Sequence, residues 1–205
     1  MQQLSDTFHT IARTTEGYFR DKGSKFYSFA YPVTSEEQVR TILADIKKKY
    51  YDAHHHCYAY SIGTGKELKY RINDDGEPSG SAGRPIYGQM LSADITDALV
   101  IVVRYFGGIK LGIPGLINAY KTAAKEAIDS NEIIEKIITT TVSVSCPYQN
   151  INLVMKFMKD ENLNIIAQDY INEQLVITAE VRSSKNDEIL DKINSIYGIK
   201  IVPKN

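Results

Sequence analysis

The chain has 205 residues, with 24 Lys and Arg against 25 Asp and Glu and a formal net charge of −1, room for one large or two small domains. That balance excludes a protein that coats DNA or RNA through bulk charge, so any nucleic-acid site has to be local. Two distant cysteines, Cys57 and Cys146, are expected as free thiols in a reducing cytoplasm. The opening MQQLSDTFHTIART lacks a basic stretch leading into an apolar run, and about 18 consecutive apolar residues occur nowhere, so neither export nor a membrane is expected.

Alternating and β-branched residues predict strands near Thr7 to Thr14 and Lys25 to Pro32. Ser35 and Gln38 then form a capping box for a helix that ends near Tyr50. Val39, Ile42, Leu43 and Ile46 mark its buried face, and Lys47, Lys48 and Lys49 complement the dipole at its end. Two further strands, His54 to Ile62 and Glu67 to Ile72, are predicted as a hairpin turning at Gly63, Thr64 and Gly65. Arg84 and Pro85 open a short helix through Met90, and the apolar run Ala98 to Tyr105 is expected as a strand covered on both faces. An alanine-rich helix over Leu116 to Ser130 leads to a strand or linker at Glu132 to Ile138.

After residue 138 the composition resets. The predicted order is strand (TTTVSVSC), helix (Tyr148 to Lys159), strands Asn164 to Ile171 and Gln174 to Arg182, helix (Asn186 to Ile196) and a short strand, Ile199 to Val202. This is βαββαβ, the ferredoxin-like split βαβ arrangement. The fold class is therefore α+β in two domains, residues 1–137 with a mixed sheet and helices on one face, and residues 138–205. The second holds seven basic and eight acidic residues, so neither domain is a polycation.

Two glycine-rich loops carry the chemistry. In DDGEPSGSAGRP, the residues Asp74, Asp75, Glu77, Ser79, Gly80, Gly83 and Arg84 precede or open a helix. In RYFGGIKLGIPG, Arg104, Gly107, Gly108, Lys110 and Gly112 do so. Glycine lets backbone N–H groups approach a ligand, and a helix N-terminus favours an anion. The three carboxylates suit a Mg²⁺ ion or a base, or they are turn punctuation that satisfies local amides. Arg104 and Lys110 suit a phosphate or carboxylate, or they pair with Asp74 or Asp75. The spacing is neither a Walker A loop nor a dinucleotide fingerprint, and Pro114 removes one donor from any phosphate cradle. In the run from His54 to Cys57, alternation puts His54 and His56 on one face and His55 and Cys57 on the other. Two histidines are too few for zinc, and Cys57 is a nucleophile only with a base beside it. No metal and no cofactor are expected. Tyr58, Tyr60, Tyr70, Tyr87, Tyr105 and Phe106 are candidates to stack bases, or half-buried sheet residues.

The motifs DDGEPSGSAGRP, VVRYFGGIKLG and HHHCYAY resemble the signature of the YigZ/IMPACT family across about residues 15 to 135, and the remainder resembles the C-terminal domain of bacterial members. The resemblance implies a first domain of the left-handed βαβ type found in domain IV of elongation factor G, a second like domain V of that factor, and a link to translation. The leading expectation is a non-catalytic regulator or accessory factor that binds RNA or a ribosomal partner through a cleft between the two loops, with a further protein partner allowed for elsewhere. The alternatives are a small-molecule hydrolase or transferase acting on an anionic metabolite in the same cleft, and a protein-interaction module.

Overall fold

The computed structural model describes residues 6–171 and 173–203. The chain divides into two compact units: Phe8–Lys136, and a second whose described part joins Asp6 and Thr7 to residues 137–171 and 173–203. Among the described residues, no helix is long and apolar enough to cross a membrane.

The first unit is built on a five-stranded sheet. Its strands β2 (Thr15–Asp21), β3 (Ser24–Pro32), β4 (His55–Ile62), β5 (Lys69–Asn73) and β6 (Ala98–Tyr105) lie in the order β2-β3-β6-β4-β5. Every pairing is antiparallel, whereas the sequence predicts a mixed sheet. The helices also lie on both faces rather than one. α1 (Glu36–Lys49) packs Val39 and Ile46 against Phe29, Leu99, Ile101 and Val103. α2 (Gly83–Ser92) and α3 (Gly112–Asp129) pack Ile86, Met90, Ala123 and Tyr120 against Phe26, Cys57, Val100 and Val102. The physical reason lies in β6, whose run ALVIVVR is buried from end to end and so supplies an apolar stripe to each face. β1 (Thr7–Ile11) and β7 (Ile133–Ile137) pair in a separate two-stranded sheet.

The Ser35 half of the capping box at α1 forms, and the return bond from Gln38 falls on Thr34, one residue before the N-cap. Ser35 Oγ accepts from the Gln38 amide at 3.2 Å, and Gln38 Oε1 reaches back to the Thr34 amide at 2.8 Å. β2 escapes the sequence reading because TEGYFRD mixes charges with glycine and shows no clean alternation. Gly17 is needed there by packing: a Cβ would sit 2.6 Å from the Ala127 amide nitrogen of α3, so only glycine lets the helix lie on the strand. α3 begins at Gly112, earlier than the predicted Leu116, with Pro114 absorbed in its first turn.

In the second unit β8 (Thr139–Pro147), α4 (Ile151–Asp160), β9 (Asn164–Ile171), β10 (Gln174–Arg182), α5 (Asn186–Ser195) and β11 (Lys200–Val202) follow the expected βαββαβ order. The antiparallel sheet runs β11-β8-β10-β9. Leu175, Ile177, Ala179 and Val181 alternate along β10 toward Val154, Met158, Ile189 and Ile193 of the helices. Asp6, expected with the first domain, pairs here instead. Its carboxylate takes Arg182 Nε at 2.6 Å and the Ser184 hydroxyl, and its carbonyl accepts from the Ile138 amide at 2.6 Å.

Candidate functional site

The roots of the two glycine-rich loops meet under α3. Glu77 of the first loop and Arg104, at the end of β6, form an ion pair with Nη1 2.6 Å from Oε1; their side chains are 4% and 6% exposed. Tyr120 of α3 donates its hydroxyl to the same Oε1 at 2.8 Å, and Arg104 Nη2 donates to Ser24 Oγ at 3.3 Å. The guanidinium lies 5.5 Å from the ring centres of Phe26 and Phe106, and its buried Nε has no hydrogen-bond partner among the described residues. Arg104 was expected to face a ligand; its pairing with Glu77 makes it the keystone between the loops instead.

The first loop is filled by its own side chain. Asp74 Oδ1 accepts the amides of Ala82 at 3.0 Å and Gly83 at 2.8 Å, and Oδ2 accepts the amide of Gly80 at 2.9 Å. The carboxylate therefore occupies the positive end of α2. Gly80 and Gly83, expected to offer their amides outward, donate inward. Gly83 also lies so close to Asn73 that a Cβ would come within 2.8 Å of its backbone nitrogen. Asp75 adopts φ 41°, accepts the His56 amide at 2.7 Å and meets Lys47 at 3.4 Å. Ser79 and Arg84 are exposed, and Arg84 makes no ion pair among the described residues.

The second loop is open. Gly107 donates its amide to Ser24 Oγ at 3.2 Å and packs on the β2–β3 turn, where a Cβ would overlap the Gly23 carbonyl carbon at 1.9 Å. Beyond it, Gly108 at φ 86° and Gly112 at φ 71° carry the chain into α3, whose N-cap residue is Leu111 and whose first turn is capped by no side chain among the described residues. Lys110 is exposed and has no ion-pair partner among the described residues. One helix end is thus closed by Asp74 and the other left available to an external acceptor.

The alternation expected through β4 places His55 and Cys57 toward this cluster. His55 Nδ1 lies 2.8 Å from the Asp75 carbonyl, which fixes that nitrogen as the donor, while Nε2 sits 3.8 Å from Glu77 Oε1. His56 faces the other way, with Nε2 3.0 Å from the Tyr50 carbonyl. Cys57 is fully buried, its thiol 3.0 Å from the Asp74 carbonyl and 3.3 Å from the Tyr120 hydroxyl. Burial pushes this thiol far up, against the opposing Tyr120 contact, so the nucleophilic thiolate does not form near neutral pH. Burial, reinforced by Cys57 and Glu77, pushes the Tyr120 hydroxyl up as well. Among the described residues no three His, Cys, Asp or Glu side chains are grouped to hold a metal ion.

Residues 22–128 match the family model described as the Impact N-terminal domain. A Haemophilus influenzae protein described as an IMPACT family member is 31% identical over 185 residues, covering 88% of this chain and 90% of that protein. The chain belongs to the IMPACT family. The Bacillus subtilis IMPACT family member YvyE is 33% identical over 142 residues, 69% of this chain and 65% of its own. A solved structure titled only as a hypothetical protein superposes with a TM-score of 0.75 over 98% of this chain and 99% of that one. At 24% identity, that likeness concerns the fold alone.

The IMPACT match contains every candidate residue from Asp74 to Gly112. Sequence reasoning missed two partners in the cluster, Ser24 and Tyr120. Tyr120 had a signal in the sequence, being the one aromatic residue in an otherwise alanine-rich helix; Ser24, in a tight turn, had none. Of the tyrosines singled out as stacking candidates, Tyr58 and Tyr60 are buried, and Tyr70 and Tyr87 stack on each other at 4.9 Å.

Proposed function

We propose that this IMPACT family member is a non-catalytic, translation-associated accessory factor that binds RNA through the outer rim of the second glycine-rich loop. The link to translation is what the family resemblance implies. The RNA reading is carried by the asymmetry between the loops: Asp74 satisfies the N-terminus of α2, while among the described residues no side chain caps that of α3 and none pairs with Lys110 nearby in the chain. A phosphate oxygen supplies the acceptor that position lacks, and Arg84 and Lys110 supply neutralising charge. Such a local site is compatible with a net charge of −1.

The test is fluorescence anisotropy with a labelled single-stranded 12-mer oligoribonucleotide across a salt series. Arg84→Ala with Lys110→Ala is expected to weaken binding at least tenfold and to flatten the salt slope by about 1.4, the share of two phosphate contacts on a single strand. Unchanged affinity and slope would refute the assignment.

One observation favours an enzyme as the second reading. His55 is 22% exposed and anchored through Nδ1, so Nε2 is free to act as a base next to Glu77. Turnover of an anionic metabolite that His55→Gln abolishes would establish this reading and displace the first.

A further inference from the structure

A second feature lies on the α1 face of the sheet, where β2, β3 and β6 end. In the β2–β3 register Arg20 stands directly opposite Lys25, and in the β3–β6 register Lys25 stands opposite Tyr105. Directly opposed residues share a face, so the three form one row. Arg20 and Lys25 are both exposed, and neither makes an ion pair among the described residues. Like charges placed opposite each other cost stability, and an anion between them removes that cost.

The next row is aromatic. Tyr18, 49% exposed, lies opposite Tyr27 with ring centres 5.1 Å apart. Tyr27 meets Tyr50 at 6.0 Å with the planes 25° apart, and Tyr105 edge-on at 6.0 Å. Lys25, Tyr27, Tyr50, Asp52, Tyr105 and Phe106 line a cleft of about 430 Å³. Asp52, the one carboxylate in that lining, accepts the Tyr105 hydroxyl at 2.7 Å. Phe106, 42% exposed, forms the rim next to Gly107 and joins the cleft to the open glycine-rich loop.

We propose that this cleft holds one unstacked base of a single-stranded RNA, with the adjoining phosphate between Arg20 and Lys25. Flat aromatic walls beside a pair of cations fit a base and its phosphate together, and the volume suits one nucleotide. A duplex keeps its base faces stacked and has none to offer. The inference rests on the RNA reading above and adds a position and a mode of contact to it.

The chain contains no tryptophan, so Phe106→Trp places a single reporter at the rim. Oligouridylate of 12 residues is expected to quench its emission, and an abasic ribose-phosphate 12-mer to leave it unchanged. Phe106→Ala should weaken oligouridylate binding by about five- to a hundredfold, the range supplied by one stacked base, with circular dichroism and the thermal midpoint retained. Arg20→Ala with Lys25→Ala should flatten the salt slope by about 0.7, the share of the one phosphate held between them. Equal affinity for the normal and abasic strands, or binding indifferent to Phe106→Ala, overturns the inference even where the Arg84 and Lys110 substitutions still weaken binding. Quenching by uridine monophosphate at the same concentrations overturns the strand in favour of a free nucleotide. Absence of any RNA binding by the wild type overturns both proposals.

Discussion

The Glu77–Arg104 pair makes a quantitative demand on the stability of the first unit. In Glu77→Leu, the Arg104 side chain, 6% exposed, loses the partner 2.6 Å from Nη1 and keeps only Ser24 Oγ at 3.3 Å, with Nε already unpartnered. Removing one member of a buried pair costs about 3–5 kcal/mol. Tyr120 loses its acceptor at the same time, a further penalty of about 1–3 kcal/mol for a stranded buried hydroxyl. Both losses fall on the same oxygen and are not additive, so the expected total is about 4–6 kcal/mol, comparable with the whole stability of many domains. Replacing both ions, as Glu77→Leu with Arg104→Met, abolishes two desolvation costs at once and is expected to fall within about 2 kcal/mol of wild type. Urea unfolding followed by tyrosine fluorescence reads this unit, since all but three tyrosines, Tyr148, Tyr170 and Tyr197, belong to it. A double variant as destabilised as the sum of its singles, or a Glu77→Leu cost below about 1 kcal/mol, would refute a keystone role.

Two glycines adjacent in the second loop should both lose stability on substitution, but to different extents and for different reasons. Gly107→Ala drives a Cβ into the Gly23 backbone at 1.9 Å and is expected to cost about 3 kcal/mol or more, whereas Gly108→Ala meets nothing within 4 Å and pays only for φ 86°, about 1–2 kcal/mol; thermal midpoints of the two variants decide it. Cys57 should make stability fall in alkali. Its folded pKa is raised, so below the unfolded value of about 8.5 the thiol is protonated in both states and the contribution is complete; above it only the unfolded chain releases the proton, and stability falls by about 1.4 kcal/mol per pH unit. Urea midpoints between pH 8 and 10 should fall less steeply in Cys57→Ala, and parallel slopes would show that the thiol is not held protonated.

The order of elements was legible wherever one residue pattern sufficed. Ser35 with Gln38 announced α1, the uninterrupted ALVIVVR announced a strand buried on both sides, and the reset after residue 138 announced βαββαβ. These signals are local, because capping and hydrophobic alternation act over a few neighbouring residues. β2 was illegible for the complementary reason: Gly17 is there for α3, more than a hundred residues away in the chain.

The amino-acid sequence by itself determined which residues stand at the two loops: three carboxylates, three cations, the glycines and the histidines beside Cys57. Only the tertiary structure decided what each of them does. It turned Asp74 into the cap of its own helix, buried Arg104 against Glu77 and Tyr120, and left Arg84, Lys110 and the start of α3 facing outward. A carboxylate that satisfies its own loop and one that waits for a ligand have the same sequence. The difference lies in which amide or cation the fold brings within hydrogen-bond distance, and that depends on partners contributed by distant parts of the chain.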